Sequence, residues 1–492
     1  MKLSHNLQTL AWSVVLGLFL GTAAEAQTAK ITPVPRAGSA RQASANSRPI
    51  TVHPAKAAVQ PASSVIQQTS SVEEMFDPTV GTIYEQTGCA SCGTPGCSSC
   101  SLGSMCGLGW GDPCCSPWFI KGWLDQGFTG NPDTDGGENG PAGTNGPLIF
   151  NDQANEYMLN QLYLSMGRNV SQDPYCWDIG GRVDVMFGTD YFFVQAQGLE
   201  TRSDNSQHWN SGNGPRNAGN AGLYGLALPQ FYVEGNVPWG NGLNVKAGHF
   251  YTIMGYESVM APENFFYSHS YTMQYGEPFT HTGIMLSYPT SSCMTWYGGV
   301  VRGWNNFEQP NGQVSYLGGF RWVSPHEATK LNFSIITGSQ DPTGENNRTA
   351  YSLVFQQQIN QCWTYVLEHN FGTEQNGRLK TDFTLGQATW ASLSNYLYYS
   401  YNPCLDLGAR FEWFGDPDNA RVFGLSNDNI SDGGNYYALT LGANYHPNGW
   451  FVLRPEVRWD YSDFTADGFS GAFNNGTSKD QFTIGFDLIT MF

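Results

Sequence analysis

Charge is scarce in this chain. Only 13% of its 492 residues are charged, about half the ~25% of ordinary globular proteins, too few to cover several soluble domains. Long apolar runs are missing as well. Beyond residue 26 no run reaches the length of a membrane-spanning helix, so the rest of the chain contains none. Basic clusters are absent and the formal net charge is −18, which excludes a nucleic-acid partner, because phosphate binding needs grouped Lys and Arg. No Cys-x-x-Cys-His occurs, which excludes covalent haem. Ser268, His269 and His281 are the densest group with hydrolase chemistry, yet no acidic partner or nucleophile motif frames them, so the chain reads as a non-enzyme without a cofactor. The stretch NPDTDGGEN (131–139) lacks the closing Glu of a calcium loop and reads as a solvated connection.

Aromatic residues and glycine fill the space left by charge. Aromatics reach 14%, glycine occurs 58 times, and the mean hydropathy is −0.34. Many aromatics with few charges and no helical span suit strands that face lipid on one side and water on the other.

The chain divides by composition. Residues 1–26 have the form of a cleaved export signal: Lys2, an apolar core LAWSVVLGLFLG and a small-x-small site at Ala24-Glu25-Ala26. Residues 27–75 are rich in Ala, Ser, Pro and Gln and carry no aromatic residue; they read as a disordered linker, unable to bury enough apolar surface to order. Residues 76–117 form a Cys-rich segment holding Cys89, Cys92, Cys97, Cys100, Cys106, Cys114 and Cys115, seven of the eleven cysteines. Its paired Cys-x-x-Cys offers either tetrahedral zinc ligation or a disulfide knot. The tight spacing and an oxidising compartment favour disulfides.

From residue 118 the sequence becomes rhythmic. Segments of ten to fifteen residues alternate apolar with polar, which is the period of a β-strand. Seven short connections carry Pro, Asn, Ser or Gly (169–175, 238–242, 289–292, 324–327, 360–361, 402–403 and 446–449), and longer polar loops separate them. Seven short turns and eight long loops join about sixteen strands and put both ends of the sheet on the short-turn side. The expectation is an all-β fold: a transmembrane antiparallel β-barrel over 118–492 with short periplasmic turns. Charge facing lipid at mid-depth costs ~2–4 kcal/mol, so the charged alternates should line the interior: Asp178, Arg182, Asp184, Lys246, Arg302, Arg321, Glu368, Asp406, Arg410, Glu412, Arg454, Glu456, Arg458 and Asp460. Trp177, Trp239, Trp296, Trp322, Trp363 and Trp450 lie within a few residues of six short turns, the placement of an aromatic girdle at the membrane interface. Pro455 falls mid-strand and Pro229 near the start of another strand, where each should require a bulge or a strand end.

The stretch LPQFYVEGNVPWGNGLNVKAGHFYTIMGYESVMAPENFFYSHSYTMQYGEPFTHTG (228–283) resembles the OmpL-like β-barrel porin family of bacterial outer membranes. GHFYTIMGYE, NFFYSHSY and GEPFTHTG carry the resemblance, which extends from GWLDQGF (122–128) to the end of the chain. It implies a multi-pass outer-membrane barrel, set in outer-membrane lipid. The final Phe492 looks like the terminal aromatic that the barrel-assembly machinery reads.

The functional expectation is passive diffusion of small hydrophilic solutes through a water-filled lumen, since sixteen strands leave an aqueous channel. Segment 254–278 holds too many aromatics for a solvated loop. It should fold partly into the lumen with Glu257, Glu263 and His269 at a constriction, or pack on the outer rim. Cys176, Cys293, Cys362 and Cys404 each follow a short turn and read either as small buried apolar residues or as disulfide partners of the Cys-rich segment. A different reading of the whole chain is a structural or surface-attachment barrel cross-linked through that segment. Porins are often homo-oligomers, but no residue marks an interface, and the sequence names no solute.

Overall fold

In the segment Phe451–Ser462, Arg454, Glu456, Arg458 and Asp460 are buried, while the alternate residues Pro455, Val457 and Trp459 are exposed. Charged inside and apolar outside is the reverse of a soluble sheet. It is stable only in a wall with a polar interior and a hydrocarbon exterior.

Sixteen strands of this kind form the protein in a computed structural model that describes residues 117–134, 144–171, 173–203, 206–210, 222–308, 311–341, 343–379, 385–422, 433–465, 470–474 and 476–492. In chain order they are β1 (Trp118–Gly130), β2 (Glu156–Arg168), β3 (Asp178–Gly188), β4 (Gly225–Val237), β5 (Leu243–Tyr251), β6 (Thr280–Ser291), β7 (Met294–Val301), β8 (Ser315–Val323), β9 (Thr329–Ser339), β10 (Asn347–Gln358), β11 (Trp363–Leu379), β12 (Leu385–Asn402), β13 (Leu405–Asp416), β14 (Gly434–Asn448), β15 (Phe451–Ser462) and β16 (Asp480–Met491). Each pairs antiparallel with its sequence neighbours, and β1 pairs with β16, so the sheet is a closed barrel without edges. Among the described residues no helix is long and apolar enough to cross a membrane. The export signal, linker and Cys-rich segment lie outside the described residues.

The seven short connections all join strands at one rim, and the sheet starts and finishes there. Its seam is closed by the last residue: the Gly122 amide donates to the Phe492 carbonyl at 2.8 Å, and the Phe492 amide returns the bond at 2.9 Å. Gly122 is required at this point, because a Cβ would stand 2.5 Å from the Tyr163 carbonyl oxygen and 2.7 Å from the Phe492 ring.

The two strand prolines behave differently. Pro229 sits at a bulge, where the β3–β4 register shifts between Asp184 and Met186. Pro455 needs neither a bulge nor a strand end, contrary to expectation. Its ring is exposed on the outer face, it pairs with Phe486 of β16 in unbroken register, and the β14 register is the same on either side of it, from Gly442↔Glu456 to Tyr445↔Leu453. The strand tolerates a missing amide donor in place; the bulge comes further along, between Tyr445 and Asn448.

Candidate functional site: a loop held inside the barrel

The connection from β5 to β6, residues 252–279, turns inward. Nearly all of it is buried, including Phe265, Phe266, Tyr267, Tyr271 and Tyr275. Two short helical turns, Ala261–Glu263 and Thr272–Gly276, are its only regular structure. Irregular backbone at membrane depth is tolerated only where protein or water satisfies its polar groups. Here the wall supplies them. Carboxylates accept its amides: Glu368 from Tyr256 (3.1 Å), Glu456 from Ser268 (3.2 Å) and Glu412 from Tyr271 (2.5 Å). Arginines donate to its carbonyls: Arg454 to Ala261 (2.8 Å) and Asn264 (2.6 Å), Arg410 to Ser268 (2.7 Å), and Arg458 to His269 (2.8 Å). Gln161 of β2 holds the Val259 carbonyl (2.6 Å), and Trp390 of β12 that of Gly276 (3.2 Å).

The aromatic block of the loop lies on a bed of inward-facing glycines. A Cβ on Gly408 would stand 2.3 Å from the Phe265 ring, and one on Gly127 would stand 2.6 Å from Tyr267. Gly442 and Gly485 lie under Phe266 and Tyr267. The wall is thinned where the loop needs room.

The buried arginines that face the loop are paired with carboxylates, as burial demands. Arg410 binds Glu257 of the loop at 2.7 Å, and Arg458 bridges Asp460 (2.8 Å) and Glu412 (3.2 Å). Arg454 is bonded to Asp487, and Arg182 to Asp184 at 2.8 Å. Burial alone would raise the Glu257 carboxyl. Arg410, His269 and the Ser270 amide outweigh it and hold the group at about 2. Glu277, at the far end of the loop, goes the other way: burial, then the neighbouring Glu368 carboxylate, push it well above the usual carboxylate range.

Of the residues expected inside, Arg182, Asp184, Lys246, Arg321, Glu368, Asp406, Arg410, Glu412, Arg454, Glu456, Arg458 and Asp460 are buried on the inner wall. Asp178 pairs with Arg168 near the short-turn rim at 2.8 Å, and Asp406 meets His446 at 2.8 Å. Lys246 lies over the Tyr232 ring, 4.2 Å from its centre. Arg302 is a correction. It follows the last residue of β7 on the parity of the outward Trp296 and Val300, is exposed, and donates to the Phe307 carbonyl at 2.9 Å. At a strand end its charge is clear of the hydrocarbon, so the cost that forces mid-strand charges inward does not apply.

Within the loop, Glu257 also accepts from Tyr396 (3.0 Å), and His269 lies 3.4 Å from it. Glu263, half-buried, accepts from Ser258 at 2.9 Å. The Ser268 hydroxyl is held by Arg410 (3.0 Å), whereas His281 bonds Thr252 (2.8 Å) and Gly303 (2.9 Å), so these residues make no Ser–His pair. Trp177, Trp239, Trp296, Trp363 and Trp450 are exposed and Trp322 is half-buried. Cys89, Cys92, Cys97, Cys100, Cys106, Cys114 and Cys115 lie outside the described residues.

Sequence reasoning missed Gln161, Tyr396, Glu277 and Asp487. Gln161 follows a bulge at the β1–β2 pairing, which defeats a parity argument. Asp487 was legible as the one charge on the mixed face of the last strand. Tyr396 and Glu277 are defined only by what the loop meets.

Below the loop, toward the short-turn rim, Glu234, Lys246, Arg321 and Lys330 face inward from β4, β5, β8 and β9 and are buried. A polar cleft of about 310 Å³, lined by His326, Glu327, Lys330, Gln356 and Gln358 among others, opens at that rim.

The family model described as "Putative beta-barrel porin-2, OmpL-like" matches residues 118–492. A comparison with curated proteins finds no match. Among solved structures, the outer membrane channel DcaP of Acinetobacter baumannii is 11% identical at a TM-score of 0.45, covering 78% of this chain and 99% of its own. The high-pH structure of Pseudomonas putida OprB is 12% identical at 0.47, covering 76% and 94%. OmpT of Vibrio cholerae is 10% identical at 0.43, covering 76% and 97%.

Proposed function

The chain belongs to the OmpL-like β-barrel porin-2 family, and from that premise we propose that it lets small hydrophilic solutes cross the outer membrane passively, through a lumen narrowed by the β5–β6 loop. The barrel is a multi-pass outer-membrane protein of porin type. What supports the transport reading is the use of charge. An inner wall that spends Glu368, Arg410, Glu412, Arg454, Glu456 and Arg458 on one internal loop builds a constriction of fixed shape. The loop lies against β11–β16 and β1–β2, and Glu257, Glu263 and His269 are its ionisable residues at mid-barrel. Toward the short-turn rim the inner wall carries Lys246, Arg321, Lys330 and Glu234. No energy coupling enters this mechanism.

Purified full-length protein added to a planar lipid bilayer tests the reading. Stepwise, ohmic conductance increments are expected. A bilayer that stays silent, with folded barrel demonstrably inserted, would contradict transport and leave a structural barrel as the function.

A further inference from the structure

Three cysteines occupy equivalent places on the short-turn rim. Cys293, Cys362 and Cys404 each follow a short turn and are bonded to no other cysteine among the described residues. The same device presents all three: a polar side chain two residues earlier accepts the cysteine amide, from Ser291 to Cys293 (3.2 Å), from Asn360 to Cys362 (2.9 Å) and from Asn402 to Cys404 (2.8 Å). Cys362 is exposed and the other two are half-exposed, so none is the buried apolar filler that cysteine usually is. Cys176 stands on the same rim, its sulfur donating to Asp173 at 3.3 Å.

These thiols cannot satisfy one another. The β6–β7, β10–β11 and β12–β13 turns are at least two strands apart, ~10 Å by strand spacing, beyond the ~7 Å between Cα atoms that a disulfide spans. Yet thiols exposed on the periplasmic side lie in an oxidising compartment. The chain itself brings partners to that rim. It enters the barrel there, where the Pro117 carbonyl accepts from Asn169 at 2.8 Å, and the preceding residues 89–115 hold seven cysteines. Cys106 is twelve residues ahead of Trp118, a reach of ~40 Å at ~3.5 Å per residue. A sixteen-strand wall is roughly 30 Å across, so the thiols from Cys89 to Cys106 can reach any turn of the rim. Seven is also an odd number: pairing within the segment leaves one sulfur over.

We propose that the short-turn rim is a covalent docking surface for residues 89–115, with disulfides joining Cys293, Cys362 or Cys404 to cysteines of that segment across the periplasmic mouth. Each bridge forms one S–S bond from two thiols. Two protons and two electrons leave to a protein disulfide of the periplasm, which is reduced to its dithiol. The inference goes beyond solute transport and needs only the periplasmic placement of the rim.

Protein extracted from outer membranes without reductant, alkylated and mapped by mass spectrometry tests it. Peptides containing Cys293, Cys362 or Cys404 should be linked to peptides from 89–115 and separate on reduction. Recovery of all three as alkylated free thiols, or linked only to another chain, overturns the proposal. In the combined Cys293→Ser, Cys362→Ser, Cys404→Ser protein, more thiols within 89–115 should become alkylatable, and an unchanged count overturns it equally. Bilayer conductance is read separately, so a conducting protein with free rim thiols would refute this inference and leave transport intact.

Discussion

Arg410 of β13 and Glu257 of the β5–β6 loop meet at 2.7 Å, both buried, 153 residues apart in the chain. The contact joins the wall to the loop held inside the barrel. Replacing Arg410 by Gln strands a buried carboxylate, and breaking such a pair costs ~3–5 kcal/mol. The expected outcome is a loosened loop, seen as noisier and larger single-channel currents. Adding Glu257→Gln should recover much of the wild-type behaviour, and a double variant no quieter than Arg410→Gln would argue against the pair.

Loop docking should depend on pH in two opposite senses. Glu277 is raised, so its contribution to docking is present below the ordinary carboxyl range and is lost as pH climbs through its elevated value. Glu257 is lowered to about 2, so its contribution is present above the ordinary range and fades only as pH falls toward 2. Conductance recorded from pH 5 to 9 should therefore show loosening at the alkaline end. Glu277→Gln should flatten that response, because an amide has no proton to lose.

The glycine bed can be probed by filling it. Gly408→Val places side-chain atoms where the Phe265 ring lies, and overpacking of this kind typically costs ~1–3 kcal/mol. The variant should fold as a barrel, melt at lower temperature in detergent and expose the loop to protease. Phe265→Ala in the same chain should restore protection.

Charge on the inner wall toward the short-turn rim should tune ion preference. Lys246, Arg321 and Lys330 outnumber Glu234 on that part of the wall, so anions should be modestly favoured. Lys330→Gln should shift the reversal potential in a salt gradient toward cations. A shift toward anions would show that these side chains do not face the permeating ions.

Much of the fold could be read directly because a barrel strand has one environment on each side, and its alternation records both. Val183 outside and Asp184 inside, or Val457 outside and Arg458 inside, state the wall's orientation without any tertiary knowledge. The strand number followed from the turns for the same reason. Arg302 escaped the rule because at a strand end the bilayer no longer penalises charge. Pro455 was harmless because its ring points outward and only one amide is lost. The inner loop was legible as an aromatic anomaly, but its partners were not. That Phe265 needs Gly408, or that Ser268 needs Glu456, is fixed by how strands far apart in sequence curve around one space.

The most direct test of the account replaces residues 254–278 by a short Gly-Ser linker and compares single-channel conductance with the intact chain. If the loop occupies the lumen and sets the constriction, conductance rises severalfold while the barrel stays folded. Unchanged conductance in a folded, inserted barrel would contradict it.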